Sequence, residues 1–219
     1  MLDVGKTTSA RIFANKINEG QGNPIEVDAA SNNGVDQIRT IIDDAKFKPL
    51  DGKYKIYILD ECHMLSIGAW NAMLNLLEEP PKTTIFVLCT TDPQKIPKTI
   101  LSRVQRYDFN KISLDGIVDR LKYIIFKENE EIKNSNIDDI EDIKNGMIYY
   151  DIDALKYIAK CSEGGMRDVI SMLDKCLSFT HNLGVEEIVK ALDISDYESL
   201  NILLTYILCH DSKICIETI

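Results

Sequence analysis

The segment Ile56-Tyr57-Ile58-Leu59-Asp60-Glu61 restricts the fold of this chain more than any other. From Tyr54 to Leu59 the run is nearly unbroken in apolar and aromatic residues. A β-strand sends alternate side chains to opposite faces, so a strand with no polar face is covered on both sides. That is the condition of a strand inside a parallel sheet flanked by helices. The two acids then fall at the strand's C-terminal end, the side on which open α/β sheets collect their ligands.

The neighbouring segments agree with such a sheet. Lys6 to Asn18 has helical spacing, with Ile12, Phe13 and Ile17 apolar, and it runs into the glycine-bearing stretch Glu19-Gly20-Gln21-Gly22-Asn23-Pro24. Ile25 to Asp28 reads as a short strand. Ser31-Asn32-Asn33-Gly34 supplies turn and cap chemistry before a helix from about Val35 to Phe47. Ser66 to Leu77 reads as the next helix, stopped by Pro80-Pro81, and Thr84 to Cys89 as a second buried strand leading into Thr90-Thr91-Asp92-Pro93. Strand and helix alternate, which implies an α/β domain with a parallel sheet.

Beyond about Asn110 the pattern changes to helix only: Leu114 to Phe126, Asp153 to Cys161, Arg167 to Phe179 and Val185 to Leu192, with no further strand signal. This predicts a small helical domain. Lys127 to Tyr150 is rich in Asn, Asp, Glu, Lys and Ile with weak periodicity and is expected to be a mobile insertion. Ser195 to Ile219 begins another helix that runs out without a cap, and a helical continuation beyond it is expected.

With 219 residues, 45% of them hydrophobic, the chain can fill an ordinary core, and its net charge of -10 leaves no electrostatic footprint for binding nucleic acid on its own. Any contact with nucleic acid is therefore expected to be local or shared with partners. The six cysteines, at 62, 89, 161, 176, 209 and 215, include no C-x-x-C pair and read as buried free thiols rather than zinc ligands. Met1 to Ala10 has no apolar leader core and no stretch reaches a membrane-spanning length, so a cytoplasmic protein without membrane contact is expected.

Gly5-Lys6-Thr7-Thr8 opening a helix is the tail of a phosphate-binding loop. There backbone N–H groups and the helix N-terminus hold phosphates, Lys6 reaches the outer phosphates and Thr7 binds Mg²⁺. The full pattern G-x-x-x-x-G-K-[ST] places a glycine five positions before Gly5, ahead of Met1, so an incomplete cradle is expected. Paired with this tail, Asp60 is expected at the metal and Glu61 at the attacking water, the division that phosphoryl transfer to water requires. Asp60-Glu61-Cys62-His63 also spells a helicase-like box, but no basic channel accompanies it, and His63 is expected to position the acids. Trp70 and Met73 are expected in the core, and His181 and His210 have no partner ligands nearby in sequence.

Longer strings then carry a specific resemblance. Val27-Asp28-Ala29-Ala30-Ser31-Asn32-Asn33-Gly34-Val35-Asp36, Asp60-Glu61-Cys62-His63-Met64-Leu65-Ser66, Leu77-Glu78-Glu79-Pro80-Pro81 and Thr90-Thr91-Asp92-Pro93-Gln94-Lys95-Ile96-Pro97 occur in order. With Ile100-Leu101-Ser102-Arg103 and Gly164-Gly165-Met166-Arg167-Asp168, they resemble the signatures of the DnaX-type (gamma/tau) clamp-loader subunits of bacterial DNA polymerase III, which are AAA+ ATPases. The resemblance covers residue 4 to about 180.

It implies an AAA+ P-loop sheet over 1–110, a helical lid over 111–182 with the insertion at about 127–150, and the start of a helical collar over 183–219. It implies ATP and Mg²⁺ as cofactors. The site residues would be Gly5, Lys6, Thr7, Thr8, Asp60, Glu61, Thr91 or its neighbour Thr90 as sensor 1, Arg167 as sensor 2, and Arg103 as an arginine finger acting on the neighbouring subunit. The implied partners are other clamp-loader subunits in a hetero-oligomeric ring, the sliding clamp and, through the ring, primed DNA. Three departures stand out. The segments ahead of Asp3 that enclose adenine are absent, Asp3 stands where the family usually has glycine, and only Glu19 to Asn23 occupies the place of a four-cysteine zinc module. Weaker nucleotide binding and no zinc are expected, and the alternative to an ATPase is a nucleotide-inert ring subunit that keeps Arg103.

Overall fold

In the computed structural model the described residues are 4–134, 146–162 and 164–192. The chain divides into two compact units at Asn110 and Lys111.

The first unit is a three-stranded parallel sheet with helices on both faces. Its elements are helix α1 (Lys6–Ile17), strand β1 (Ile25–Asp28), helix α2 (Val35–Ala45), strand β2 (Lys55–Asp60), helix α3 (Ile67–Glu78), strand β3 (Thr84–Leu88) and helix α4 (Lys98–Leu101). Short 3-10 turns follow β2 at Cys62–Met64 and β3 at Pro93–Lys95. The strand order is β1-β2-β3, with Asp28 opposite Asp60 and Tyr57 opposite Phe86. The run that anchored the sequence reading is thus the central strand, and Ile56, Tyr57, Ile58 and Leu59 are all buried.

Strand alternation divides the core. Ile56 and Ile58 join Ile85, Val87 and Cys89 under Ala10 and Ala14 of α1. On the opposite face, Leu59 packs with Ile38 of α2 and Ala69, Trp70 and Met73 of α3, while Tyr57 stacks on Phe86 at 5.0 Å between ring centres. Tyr57 also donates its hydroxyl to Asp44, and Lys55 Nζ binds the same carboxylate at 2.8 Å. The helices end one or two residues from their expected limits: α2 stops at Ala45, so Phe47 lies outside it and is exposed.

A left-handed glycine closes the connection before β2. Gly52 has φ of 79°, and a Cβ there would lie 2.7 Å from the Gln21 carbonyl oxygen. The Glu19–Asn23 stretch is thereby pressed against Asp51-Gly52. Beside it the Asn18 side chain brackets Tyr54, donating from Nδ2 to its carbonyl at 2.8 Å and accepting from its N–H at 2.9 Å.

The second unit contains helices α5 (Leu114–Asn134), α6 (Ile152–Cys161), α7 (Met166–Phe179) and α8 (Val185–Leu192). Two expectations are corrected here. Lys127 to Asn134 continues α5 instead of starting an insertion, supported by the Lys127–Glu130 pair at 2.6 Å and by Asn129, whose amide brackets Ile148 through two bonds of 2.9 and 2.8 Å. Strand structure also recurs: β4 (Tyr149–Tyr150) and β5 (Asn182–Leu183) form a short parallel pair. Residues 135–145 of the expected insertion, and His210, Cys209, Cys215 and the segment 195–219, lie outside the described residues. One apolar cluster holds this unit together, built from Ile117, Leu121 and Ile125 of α5, Leu155 and Ile158 of α6, Val169 and Leu173 of α7, and Ile188 of α8.

Candidate functional site

The sheet's packing brings three polar segments to one edge, because parallel strands end on the same side and α1 begins there. Gly5 caps α1 in the left-handed region at φ 85°, where a side chain would be strained. In the first turn of α1, Thr7 Oγ1 donates to Asp60 Oδ2 at 2.9 Å. The second Asp60 oxygen accepts the Glu61 N–H at 3.0 Å, so both carboxylate oxygens are oriented.

Glu61 adopts φ 45°, a left-handed conformation that costs a non-glycine residue roughly 1 to 3 kcal/mol and persists only where its surroundings enforce it. Those surroundings are visible. The Cys62 N–H donates to the Cys89 carbonyl at 2.9 Å, tying the turn after β2 to the end of β3. Thr91 Oγ1 donates to Glu61 Oε2 at 2.9 Å, and His63 Nδ1 lies 3.2 Å from the same oxygen and 3.1 Å from Thr90 Oγ1. The Thr90 hydroxyl oxygen in turn accepts the Asp92 N–H at 3.0 Å. His63 is 5% exposed and Glu61 26%, so the imidazole backs the carboxylate from the protein side.

Cys62 and Cys89 lie beneath these acids as neutral thiols. Burial pushes the Cys62 thiol up to about 12, with Cys89 and Glu61 adding to the shift. Burial and the Asp60 charge push Cys89 up to about 11, opposed by the nearby Lys6 ammonium. Raised in this way, both thiols favour the protonated form at neutral pH. They serve as small packing residues.

The two arginines are carried by other elements. Arg103 follows α4, and its guanidinium bonds Glu78 and the Thr99 carbonyl rather than the acids at the sheet edge. Arg167 is exposed in the first turn of α7, in the second unit, and Thr8 is exposed in α1. Asp3 lies outside the described residues.

Residues 4–113 match the family model described as DNA polymerase III, delta subunit, and residues 141–182 match that of the DNA polymerase III clamp loader subunit, ATPase lid domain. The chain belongs to the DnaX-type (gamma/tau) family of DNA polymerase III clamp-loader subunits. It is 42% identical over 201 residues to the DNA polymerase III subunit tau of Bacillus subtilis, an alignment covering 82% of this chain and 32% of that protein. It is 33% identical over 232 residues to the subunit gamma of Buchnera aphidicola from Schizaphis graminum, covering 96% of this chain and 59% of that protein. The chain thus spans about a third to three fifths of the length of these relatives. Among solved structures, the RuvB Holliday junction branch migration motor of Thermotoga maritima superposes with a TM-score of 0.64 at 16% identity, covering 94% of this chain and 65% of that one. That likeness establishes the AAA+ fold.

Within the clamp-loader family frame, the sequence reading missed one participant. Glu78 sits in the quoted Leu77-Glu78-Glu79-Pro80-Pro81 string, yet nothing in sequence links it to Arg103, 25 residues on. His63 was expected beside the acids, and its bonds to Glu61 and Thr90 put it there.

Proposed function

We propose that this chain is an ATP-driven subunit of the DNA polymerase III clamp loader, which helps open the sliding clamp and load it on primed DNA. The observation that carries this reading is the convergence of Thr7, Asp60, Glu61 and Thr91 through direct hydrogen bonds at the C-terminal edge of a parallel sheet. In this reading residues 1–110 bind nucleotide, 111–182 act as the lid and 183–219 begin the collar. The work takes place in the cytoplasm within a hetero-oligomeric ring.

The donor set fits Mg²⁺. Thr7 and Asp60 offer hard oxygens 2.9 Å apart, the donor type that this ion takes alongside phosphate and water oxygens. Mg²⁺ bound there would neutralise developing phosphate charge. Gly5, Lys6 and Thr8 at the α1 N-terminus bind and orient the phosphates through backbone N–H groups and the ammonium. Glu61 accepts a proton from the attacking water, and Thr91 holds its carboxylate in place until nucleotide draws the hydroxyl away. Arg103 and Arg167 serve as trans finger and lid sensor, neutralising charge from outside the cradle.

The test is Glu61→Gln in a complex reconstituted with its partner subunits and clamp. ATP hydrolysis and loading on primed DNA should both fall, and unchanged rates would sink the proposal. Equilibrium binding of a fluorescent ATP analogue adds a second arm. No binding by the chain, with hydrolysis by the ring still dependent on Arg103, would assign it the nucleotide-inert role.

A further inference from the structure

We propose that Glu78 is the positioning residue for Arg103, gripping one edge of the guanidinium so that its opposite fork faces an anion on a neighbouring subunit. This rests on the reading of Arg103 as acting in trans.

The geometry is directional. A guanidinium carries five N–H groups in one plane. Arg103 Nε donates to Glu78 Oε1 at 2.9 Å and Nη2 donates to the same oxygen, which uses the side edge of the group. Nη1 donates to the Thr99 carbonyl four residues back. Three of the five N–H groups are then engaged, and the end-on fork draws one N–H from each Nη. Among the described residues the fork meets only a long 3.4 Å approach of Nη1 to Ser102 Oγ. A pair of parallel N–H groups is the arrangement that matches two oxygens of a phosphate.

Glu78 is well suited to the grip. It is the last residue of α3, whose Trp70, Met73 and Leu76 are buried, and Pro80-Pro81 end the helix just beyond it. Its own carboxylate lies at the negative end of the helix dipole, in a last turn with no basic residue, where a carboxylate is disfavoured without a cation beside it. Arg103 supplies that cation. At 31% and 48% side-chain exposure the pair is too open to contribute much to folding, so its main effect is to remove rotamer freedom from a long side chain that would otherwise be ordered only when the phosphate arrives.

Steady-state ATP hydrolysis by the reconstituted complex tests this. Arg103→Ala should lower kcat by roughly a thousandfold, the scale of a lost finger. Glu78→Ala should lower kcat by roughly tenfold with KM for ATP unchanged, because the finger remains but is poorly aimed. Glu78→Gln, which keeps an acceptor oxygen, should fall between Glu78→Ala and the unaltered chain. Glu78→Ala added to Arg103→Ala should cost nothing more, whereas a role in folding alone would cost the same in either background. A Glu78→Ala rate equal to or above that of the unaltered complex, or a further loss in the Arg103→Ala background, overturns the proposal for Glu78 alone. An unchanged rate with Arg103→Ala overturns the finger reading itself, and Glu78 with it.

Discussion

The two units of this clamp-loader chain solve the same packing problem with different consequences. In the first, a sheet splits the apolar residues into clusters on its two faces, and its polar residues collect where the strands end. In the second, helices α5 to α8 converge on an apolar cluster, and the buried Ser162 hydroxyl, next in sequence to α6, is satisfied by the Ala159 carbonyl at 2.8 Å. A parallel sheet has an end at which backbone, helix N-termini and strand-terminal side chains must meet water together, and chemistry can be assembled there. A helical cluster closes on itself and contributes shape.

That contrast makes sensitivity to mutation differ between the units. The largest expected difference between the units is on rate: Glu61→Gln in the first should lower ATP hydrolysis by the complex by roughly a hundredfold or more, the scale of a lost general base, while the melting temperature of the chain holds or rises. A large loss of stability instead would erase the contrast. Next is Leu155→Ala in the second unit, fully buried in the apolar cluster, which should cost about 2 to 5 kcal/mol in denaturant unfolding and accelerate hydrogen exchange in α5 to α8. Gly52→Ala should cost about 2 kcal/mol, since the left-handed backbone and the nearby Gln21 carbonyl both oppose a Cβ.

The smallest effect concerns Asp44. Lys55, and then Tyr57, hold its carboxyl below the usual carboxylate range. The charged form is therefore favoured on folding, so the contribution is complete above the unfolded value near pH 4 and disappears as pH falls through the lowered folded one. Asp44 is half exposed, so Asp44→Asn should cost less than about 1 kcal/mol at pH 7 and less still in acid, read from urea midpoints at the two pH values. An equal cost at both would mean that the Asp44 charge plays no part.

Much of the first unit was legible because its strands are long enough for the apolar run to declare both faces, as in Ile56 to Leu59. The acids were legible for the same reason: they end that run. What escaped was set by pairing across distance or by elements too short for a period. β4 and β5 have two residues each, and no alternation can be read from two. Lys127 to Asn134 reads as polar insertion because its helix is held by Asn129 reaching Ile148, a bond between positions 19 residues apart. The Glu78–Arg103 contact was hidden likewise, and so was the left-handed turn at Glu61, since nothing about a glutamate forecasts φ 45°.

The strand order leaves β3 at a border of the sheet, and among the described residues no strand pairs with its outer side. Thr-Ile-Phe-Val-Leu carries no charge, and a border strand is a position with which a further extended segment can pair. The net charge of -10 keeps like molecules apart in dilute buffer, and salt shortens the reach of that repulsion to about 3 Å at 1 M. Self-repulsion between copies of the chain is therefore set by ionic strength, strongest in low salt and weakest in high salt.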